Sequence, residues 1–369
     1  MRIKKVVGKL HLWLGFITGP LVFVIAITGC IYAFQEEIQN ATQPYRFVEE
    51  ENKNFLPPSV LVKAAQKKLP HKKVHSVTYG LKSETAKVSF YAEGYYDVVY
   101  TNPYNAKVLC VKDMNSNFFQ WILRGHFYLW IPPPAGQIIV ATATLIFTVI
   151  LISGLILWWP RNRAARKQRF IIKWKFSWKR RNYDLHNVLG FYAFIFAFVL
   201  AFTGLVWGFK WFASSVYYVT SGGKKMTEYY EPKSDTLQSY KGEIIAYDYL
   251  WKKLCFENSN YKKMEVHIPE NDSSSINISI NPSGGTYWKT SYRYFDQYTL
   301  KELEVNHTWG KYEQANTAQK IQRLNYDVHV GSIGGIVGKI FVFLLSLLIA
   351  SLPITGFIIW WGKRKRVIK

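Results

Sequence analysis

Residues 11–29 read HLWLGFITGPLVFVIAITG, and residues 186–204 read HNVLGFYAFIFAFVLAFTG. Each is an apolar run without Lys, Arg, Asp or Glu that opens on a histidine, carries Gly-Phe at the same spacing and closes on Thr-Gly. A helix needs about 20 such residues to cross the hydrocarbon layer. Two further runs meet that requirement, so the predicted spans are residues 12–34, 136–159, 187–209 and 340–361. The basic start Met1-Arg2-Ile3-Lys4-Lys5 resembles that of a secretory signal. The apolar run after it is too long for one, however, and no small-x-small cleavage site follows.

The spans repeat in pairs. His11-x3-Gly15-Phe16 through Thr28-Gly29 corresponds without a gap to His186-x3-Gly190-Phe191 through Thr203-Gly204. The second and fourth spans run from Gly136 and Gly338 to Ser153-Gly154 and Thr355-Gly356, and end on Trp158-Trp159 and Trp360-Trp361. Histidines precede both, at His126 and His329. The expected architecture is therefore a membrane α-helical protein of four transmembrane helices, built as a duplicated two-helix unit of span, outer domain and span.

Charge sets the expected orientation, because short cytoplasmic loops collect Lys and Arg. Arg2, Lys4, Lys5 and Lys9 precede the first span, ten basic residues lie between Arg161 and Arg181, and Lys363, Arg364, Lys365, Arg366 and Lys369 close the chain. These segments hold 19 of the 47 basic residues against a single acid, Asp184, and account for most of the net charge of +23. In a soluble protein that charge would suggest nucleic acid; beside membrane ends it reads as topology, with both termini cytoplasmic. The expected division is a first span (1–35), a first outer domain (36–130), a second span (131–160), a basic cytoplasmic loop (161–183), a third span (184–211), a second outer domain (212–330), a fourth span (331–362) and a cytoplasmic tail (363–369).

Both outer segments read as small α+β domains with the same order of elements. In the first, Pro58 opens a helix through Val62, Ala65 and Leu69. Strands follow at Lys73–Tyr79, Lys87–Tyr91, Tyr96–Tyr100 and from Val108, with a turn at Asn102-Pro103-Tyr104-Asn105. In the second, a helix from Glu243 to Phe256 precedes strands at Met264–Ile268, Ile276–Ile280 and Ser291–Phe295, with Pro282-Ser283-Gly284-Gly285 as a turn.

The duplication sets four of the eight histidines in two equivalent pairs, His11 with His186 at the cytoplasmic ends and His126 with His329 on the outer side. A neutral imidazole is a strong ligand for haem iron, and a helix bundle can hold haem between facing histidines. Taken singly, each reads first as an interfacial polar residue. Gly15 and Gly190, one turn from His11 and His186, would let a flat macrocycle approach, although helix packing uses glycine too. Lys9 and Arg181 near the inner pair, and Arg124 and Arg323 near the outer pair, are candidate propionate contacts. The outer two weigh more, because positive-inside bias does not account for them. At 1.5 Å rise per residue, His11 to Phe34 spans about 35 Å, a long separation for two carriers at opposite faces.

Other chemistries find little support. No Cys-x-x-Cys-His occurs, so haem would be b-type and non-covalent. No Gly-x-Gly-x-x-Gly, Walker or His-Glu-x-x-His motif occurs. His71 and His75 sit beside a Lys-rich stretch that reads as a solvated face, and the paired tryptophans read as interfacial anchors. Whether Cys110 and Cys255 pair stays open at this level.

Gly125-His126-Phe127, Asn325-Tyr326-Asp327-Val328-His329-Val330-Gly331, Leu352-Pro353-Ile354-Thr355-Gly356 and the terminal Trp-Trp-basic run together resemble the PepSY-associated transmembrane family of bacterial inner-membrane proteins. Tyr100-Thr101-Asn102-Pro103-Tyr104-Asn105-Ala106-Lys107-Val108-Leu109 is similar to the strand and turn of a PepSY domain, with Asn105-Ala106 where the family usually has Thr-Gly. Tyr294-Phe295-Asp296-Gln297-Tyr298-Thr299 fits more loosely.

The family includes a haem-containing reductase of ferric siderophores. The resemblance therefore implies two PepSY-like outer domains and two b-type haems on His11, His186, His126 and His329, with electrons passing from an unidentified donor to a ferric siderophore in the periplasm. Tyr91, Tyr95, Tyr96, Trp288 and Tyr292 are aromatic candidates for receiving the chelate. The competing reading is a non-enzymatic membrane anchor whose outer domains bind or sense. A siderophore permease is disfavoured by four spans without an intramembrane acid.

Overall fold

The computed structural model describes residues 2–160, 166 and 169–364. Arg161, Arg163 and Lys167 of the predicted basic loop, and Lys365, Arg366 and Lys369 of the predicted tail, lie outside the described residues. In chain order the elements are α1 (Arg2–Ala33), α2 (Gln35–Thr42), α3 (Pro58–Gln66), β1 (Ser76–Tyr79), β2 (Ala86–Ala92), β3 (Tyr95–Thr101), β4 (Val108–Asp113), α4 (Phe118–Tyr128), α5 (Pro133–Trp158), α6 (Trp178–Gly208), α7 (Lys210–Thr220), α8 (Ala246–Glu257), β5 (Lys263–His267), β6 (Ile276–Asn281), β7 (Ser291–Phe295), β8 (Glu302–Leu303), α9 (Thr317–His329) and α10 (Gly335–Arg364).

They fall into two compact units. One comprises Met1–Gln35, Trp121–Ser215 and Val328–Lys369; the other comprises Glu36–Gln120 and Val216–Asp327. In the first, α1, α5, α6 and α10 are long and apolar enough to cross a membrane. Their apolar stretches match the predicted spans, and α1 and α6 continue beyond them through the basic flanks. α1 packs on α5 and α10, and α6 packs on the same two, which closes a ring of four helices. The ring's core is lean: Ala26, Ala193, Ala197 and Ala350 among Val22, Leu151, Leu345 and Ile349. Small residues let helix backbones approach where lipid removes any hydrophobic gain from association. The outward faces carry Ile17, Ile138, Ile152, Ile195 and Leu344, all exposed. Helices apolar on both faces suit a lipid surround.

Two short helices, α4 and α9, precede α5 and α10, and tight turns join each pair. After α4 the chain reverses through Leu129 and Trp130, both at positive φ (53° and 58°). Gly125 is required there because any side chain would collide with the Trp130 ring. After α9, Gly331 (φ 76°) and Gly338 bring backbone against backbone, which excludes a side chain at either. These turns hold the last turns of α4 and α9, and the histidines on them, beside the bundle.

The second unit corrects the expectation of two separate outer domains. Its strands form a single antiparallel sheet in the order β4-β3-β2-β1-β5-β6-β7-β8. The seam is β1 against β5, where Ser76 faces His267 and Tyr79 faces Met264. Each half has a helix and four strands, where the sequence suggested four in the first half and three in the second, β8 being the addition, and pairing β1 with β5 removes two open edges that separate domains would leave. α3 and α8 cover one face, and residues from both halves fill one core: Leu61, Val77, Tyr79, Val88 and Phe90 with Leu250, Leu254, Met264, Ile276 and Ile278. The turn at residues 102–106 recurs at residues 296–300. Asn102 and Asp296 each accept from backbone N–H groups two residues on, and each turn ends on a non-glycine residue at positive φ, Ala106 (60°) and Leu300 (57°).

Candidate functional site

Two histidine pairs form within the membrane unit. His11 on α1 and His186 on α6 have ring centroids 6.4 Å apart, with planes turned by 87°. His126 on α4 and His329 on α9 are 6.1 Å apart, with planes turned by 65°. These are the two pairs that the duplicated spans predict.

What fixes each ring is a feature the sequence displays but does not explain. His11 Nδ1 lies 2.9 Å from Ser153 Oγ, and His186 Nδ1 lies 2.9 Å from Thr355 Oγ1. His329 Nδ1 lies 2.8 Å from Thr203 Oγ1. His126 Nδ1 donates to Ile25 O at 2.9 Å, with Thr28 Oγ1 at 3.4 Å. Each hydroxyl belongs to one of the Ser/Thr-Gly dipeptides that mark the repeat. The adjoining glycine makes the close approach affordable: a Cβ at Gly154, Gly356 or Gly29 would stand 3.0–3.3 Å from the ring's Cε1, and one at Gly204 at 3.6 Å.

The hydroxyls also settle the tautomer. Ser153 donates its own proton to Ile150 O, Thr355 to Ser351 O and Leu352 O, and Thr203 to Val199 O and Leu200 O. A hydroxyl with its hydrogen so engaged can only accept from the imidazole, and a backbone carbonyl likewise only accepts. These contacts assign the hydrogen of all four histidines to Nδ1 and the lone pair to Nε2, the arrangement that a hydrogen-bond acceptor behind the ring imposes on a metal-ligating histidine.

The residues fit a bis-imidazole metal centre. Bonds of about 2 Å from iron to each nitrogen put the centroids of two rings facing across one ion at roughly 6 Å. An added Cβ would meet nothing within 4 Å at Gly15 and only Leu352 Cδ2, at 3.7 Å, at Gly190, so both positions leave space beside the inner pair. The pairs also lie closer together than the helix ends suggest. His126 reaches the turn of α1 at Ile25–Gly29, so His11 and His126 contact α1 at levels separated by about 20–27 Å of helix axis.

The candidate propionate contacts fare differently. Arg323 is buried in the sheet-containing unit, and its guanidinium donates to Thr308 O, Thr290 O and Gly310 O at 2.7–2.8 Å. With those donors committed to backbone, Arg323 is a strut that ties the loop at 308–310 to β7; the expectation that it contacts a cofactor is corrected. Asp327, one turn on, is buried and accepts from the N–H groups of Tyr287 and Trp288. Arg323 and Asp327 thus anchor α9, which carries His329 at its end. Arg124 lies exposed on α4.

Other candidates move as well. His75 and Tyr91 line a cavity of about 1240 Å³ with Lys72, Lys73 and Glu270, where the sequence suggested only a solvated face. Tyr95 lies under the Lys72 ammonium, Tyr96 packs on Tyr91, Trp288 packs on Tyr312, and Tyr292 lies under Arg323. Trp158 is buried and stacked on Phe191 at 3.7 Å, so of that pair only the exposed Trp159 fits an interfacial anchor. Cys110 and Cys255 are unpaired thiols, on β4 and α8.

A family model described as the PepSY-associated TM region matches residues 9–363. No curated protein matches the chain.

Proposed function

The chain belongs to the PepSY-associated transmembrane family, and from that premise we propose that it is a b-type haem protein of the bacterial inner membrane that reduces ferric siderophores on the periplasmic side. The observation that carries the reading is the common state of the four histidines: paired ring to ring, each donating from Nδ1 and each left with a lone pair on Nε2. His11 with His186, and His126 with His329, would each hold one haem. When bound, the haems supply one-electron carriage between the two membrane faces. Ser153, Thr355 and Thr203, with the carbonyl of Ile25, orient the rings, and Gly154, Gly356, Gly29 and Gly204 admit them. The charge asymmetry supports cytoplasmic termini, which sets the His126–His329 pair outermost. Adding one electron converts siderophore-bound Fe(III) to Fe(II), for which such chelators have far lower affinity. The electron comes from a donor on the cytoplasmic side.

An absorption spectrum of the purified protein tests the first half. Sharp b-type bands on reduction are expected, and each single replacement of His11, His126, His186 or His329 by Ala should remove about half the haem. A colourless, folded protein would favour the membrane-anchored binding or sensing role. For the second half, a ferric siderophore added to dithionite-reduced protein should reoxidise it and yield Fe(II) to a ferrous chelator. His126→Ala and His329→Ala should slow that reaction more than His11→Ala. Reporter fusions at both termini and near residues 90 and 270 test the orientation.

A further inference from the structure

The sheet of the second unit has one face covered by α3 and α8 and another that is polar. On that second face, Lys87 of β2 stands directly opposite Tyr100 of β3, and Lys112 of β4 stands opposite Val98 of β3. The segment after α2 brings Tyr45 and Arg46 onto the same place: the Tyr45 and Tyr100 rings meet edge to face at 4.9 Å, and Tyr100 hydrogen-bonds Arg46. Three cationic side chains thus converge on two aromatic rings, and none is paired with a carboxylate. Arg46 donates to the amide oxygens of Asn40 and Gln39, at 2.8 and 2.9 Å. The Lys112 ammonium donates to Tyr45 OH at 3.2 Å. Lys87 makes no hydrogen bond or ion pair among the described residues.

This grouping is local. Over Glu36–Gln120 and Val216–Asp327 the basic and acidic residues nearly balance, at 25 and 23, and Lys53, Lys72, Lys82, Lys253, Arg293 and Lys311 there are ion-paired with carboxylates. Burial, with Arg46 and Lys263 nearby, pushes the Lys87 ammonium down to about 8, and Glu84 and Glu36 offset this only in part. Burial and Arg46 also push Lys112 down, against the opposing pull of Cys110. Like charges gathered in a recess disfavour the folded state unless an anion joins them.

We propose that Arg46, Lys87 and Lys112 form an anion-binding recess, walled by Tyr45 and Tyr100, that takes the oxyanion groups of a negatively charged ferric chelate. The identity of the ligand as an iron chelate rests on the reductase reading; the anion recess itself does not. The chemistry that would recognise such a ligand is the ammonium and guanidinium donors for carboxylate or catecholate oxygens, and the half-buried Tyr45 ring for its planar groups. An anionic lipid headgroup offers the same oxygens, so the test separates the two sources.

The test measures binding without electron transfer, on the full-length protein in nanodiscs of zwitterionic lipid. The probes are an anionic ferric tris-catecholate and a ferric tris-hydroxamate without net charge, followed by equilibrium dialysis of labelled iron. The anionic chelate should bind, and Lys87→Gln should weaken it about tenfold. Lys87→Arg should restore it, and Lys112→Gln should weaken it by a smaller factor; the neutral chelate should be indifferent to all three. If Lys87→Gln fails to fold, Lys112→Gln carries the same comparison. Equal binding of the two chelates overturns the proposal, as does an anionic chelate that ignores both variants, or loss of its binding in nanodiscs rich in anionic lipid. Binding that follows this pattern without any reduction of the iron would uphold the recess and reject the reductase.

Discussion

The hydroxyl of Thr355 on α10 lies 2.9 Å from Nδ1 of His186 on α6, while its own hydrogen is given to the carbonyls of Ser351 and Leu352. One side chain on a neighbouring helix therefore holds the ring's rotation and its tautomer. Asn182, one turn before His186, donates to the Thr355 carbonyl at 3.0 Å and clamps the same two helices.

Thr355→Val should keep the fold, since the shape is retained and the Thr355 carbonyl still accepts from Asn182. It removes the acceptor for Nδ1–H, and loss of such a partner costs about 10- to 100-fold in affinity for a bound metal centre. Titrating haem into the apo protein should show one site weakened and the other unchanged. Equal weakening of both sites would mean that Thr355 acts through global packing.

Arg323→Leu should destabilise the protein by about 3 kcal/mol or more, because the buried carbonyls of Thr290, Thr308 and Gly310 lose their donor. Thermal unfolding in detergent measures this. At temperatures where the variant stays folded, the spectrum of any haem at His11 and His186 should match the wild type. A stable variant that loses only the outer haem would restore Arg323 to the role of a cofactor contact.

Ala106→Gly should stabilise the fold by about 0.5–1 kcal/mol, since Ala106 sits at φ 60°, where a Cβ is penalised and glycine is not. A higher unfolding temperature is the expected readout. Leu300 occupies the equivalent turn at φ 57°; both side chains pack against the sheet's core, but Leu300 is far the larger, so Leu300→Gly should show a net loss instead.

The pH dependence at Lys87 has a definite sign. Its folded-state value of about 8 lies below that of an unfolded lysine, so from about pH 8 to about 10.4 the unfolded chain holds the proton more tightly, and this residue's contribution to stability rises with pH. Below about pH 8 the charge is a cost, and Lys87→Gln should gain stability there, on the order of 1 kcal/mol. Binding of an anion should run the other way and weaken as pH passes about 8, because Lys87 then loses its charge; Arg46, Lys112, Lys263, Glu84 and Glu36 are the charged groups around it. In Lys87→Arg the binding should persist to higher pH.

Sequence alone determined the spans, since a run of apolar residues long enough to cross lipid has few other uses, and it displayed the matched spacings of histidine and glycine, since spacing survives in the chain whatever the fold. The histidine pairs were legible for the same reason: His11 and His186 open their spans at matched spacings, and His126 and His329 precede theirs at matched distances. The turn at 102–106 was legible because its hydrogen bonds join residues a few positions apart, whereas its counterpart at 296–300 was not read as a turn. What only the tertiary structure decided involves residues distant in the chain. The joining of β1 to β5 turns two expected domains into one sheet, and no local pattern reveals which edge strand meets which. The Ser/Thr-Gly dipeptides were visible as marks of the repeat, yet their task as acceptors and clearances for histidines 98 to 169 residues away depends on helix packing. Arg323 read as a candidate propionate contact because side-chain charge shows in sequence, whereas the backbone carbonyls that it donates to do not.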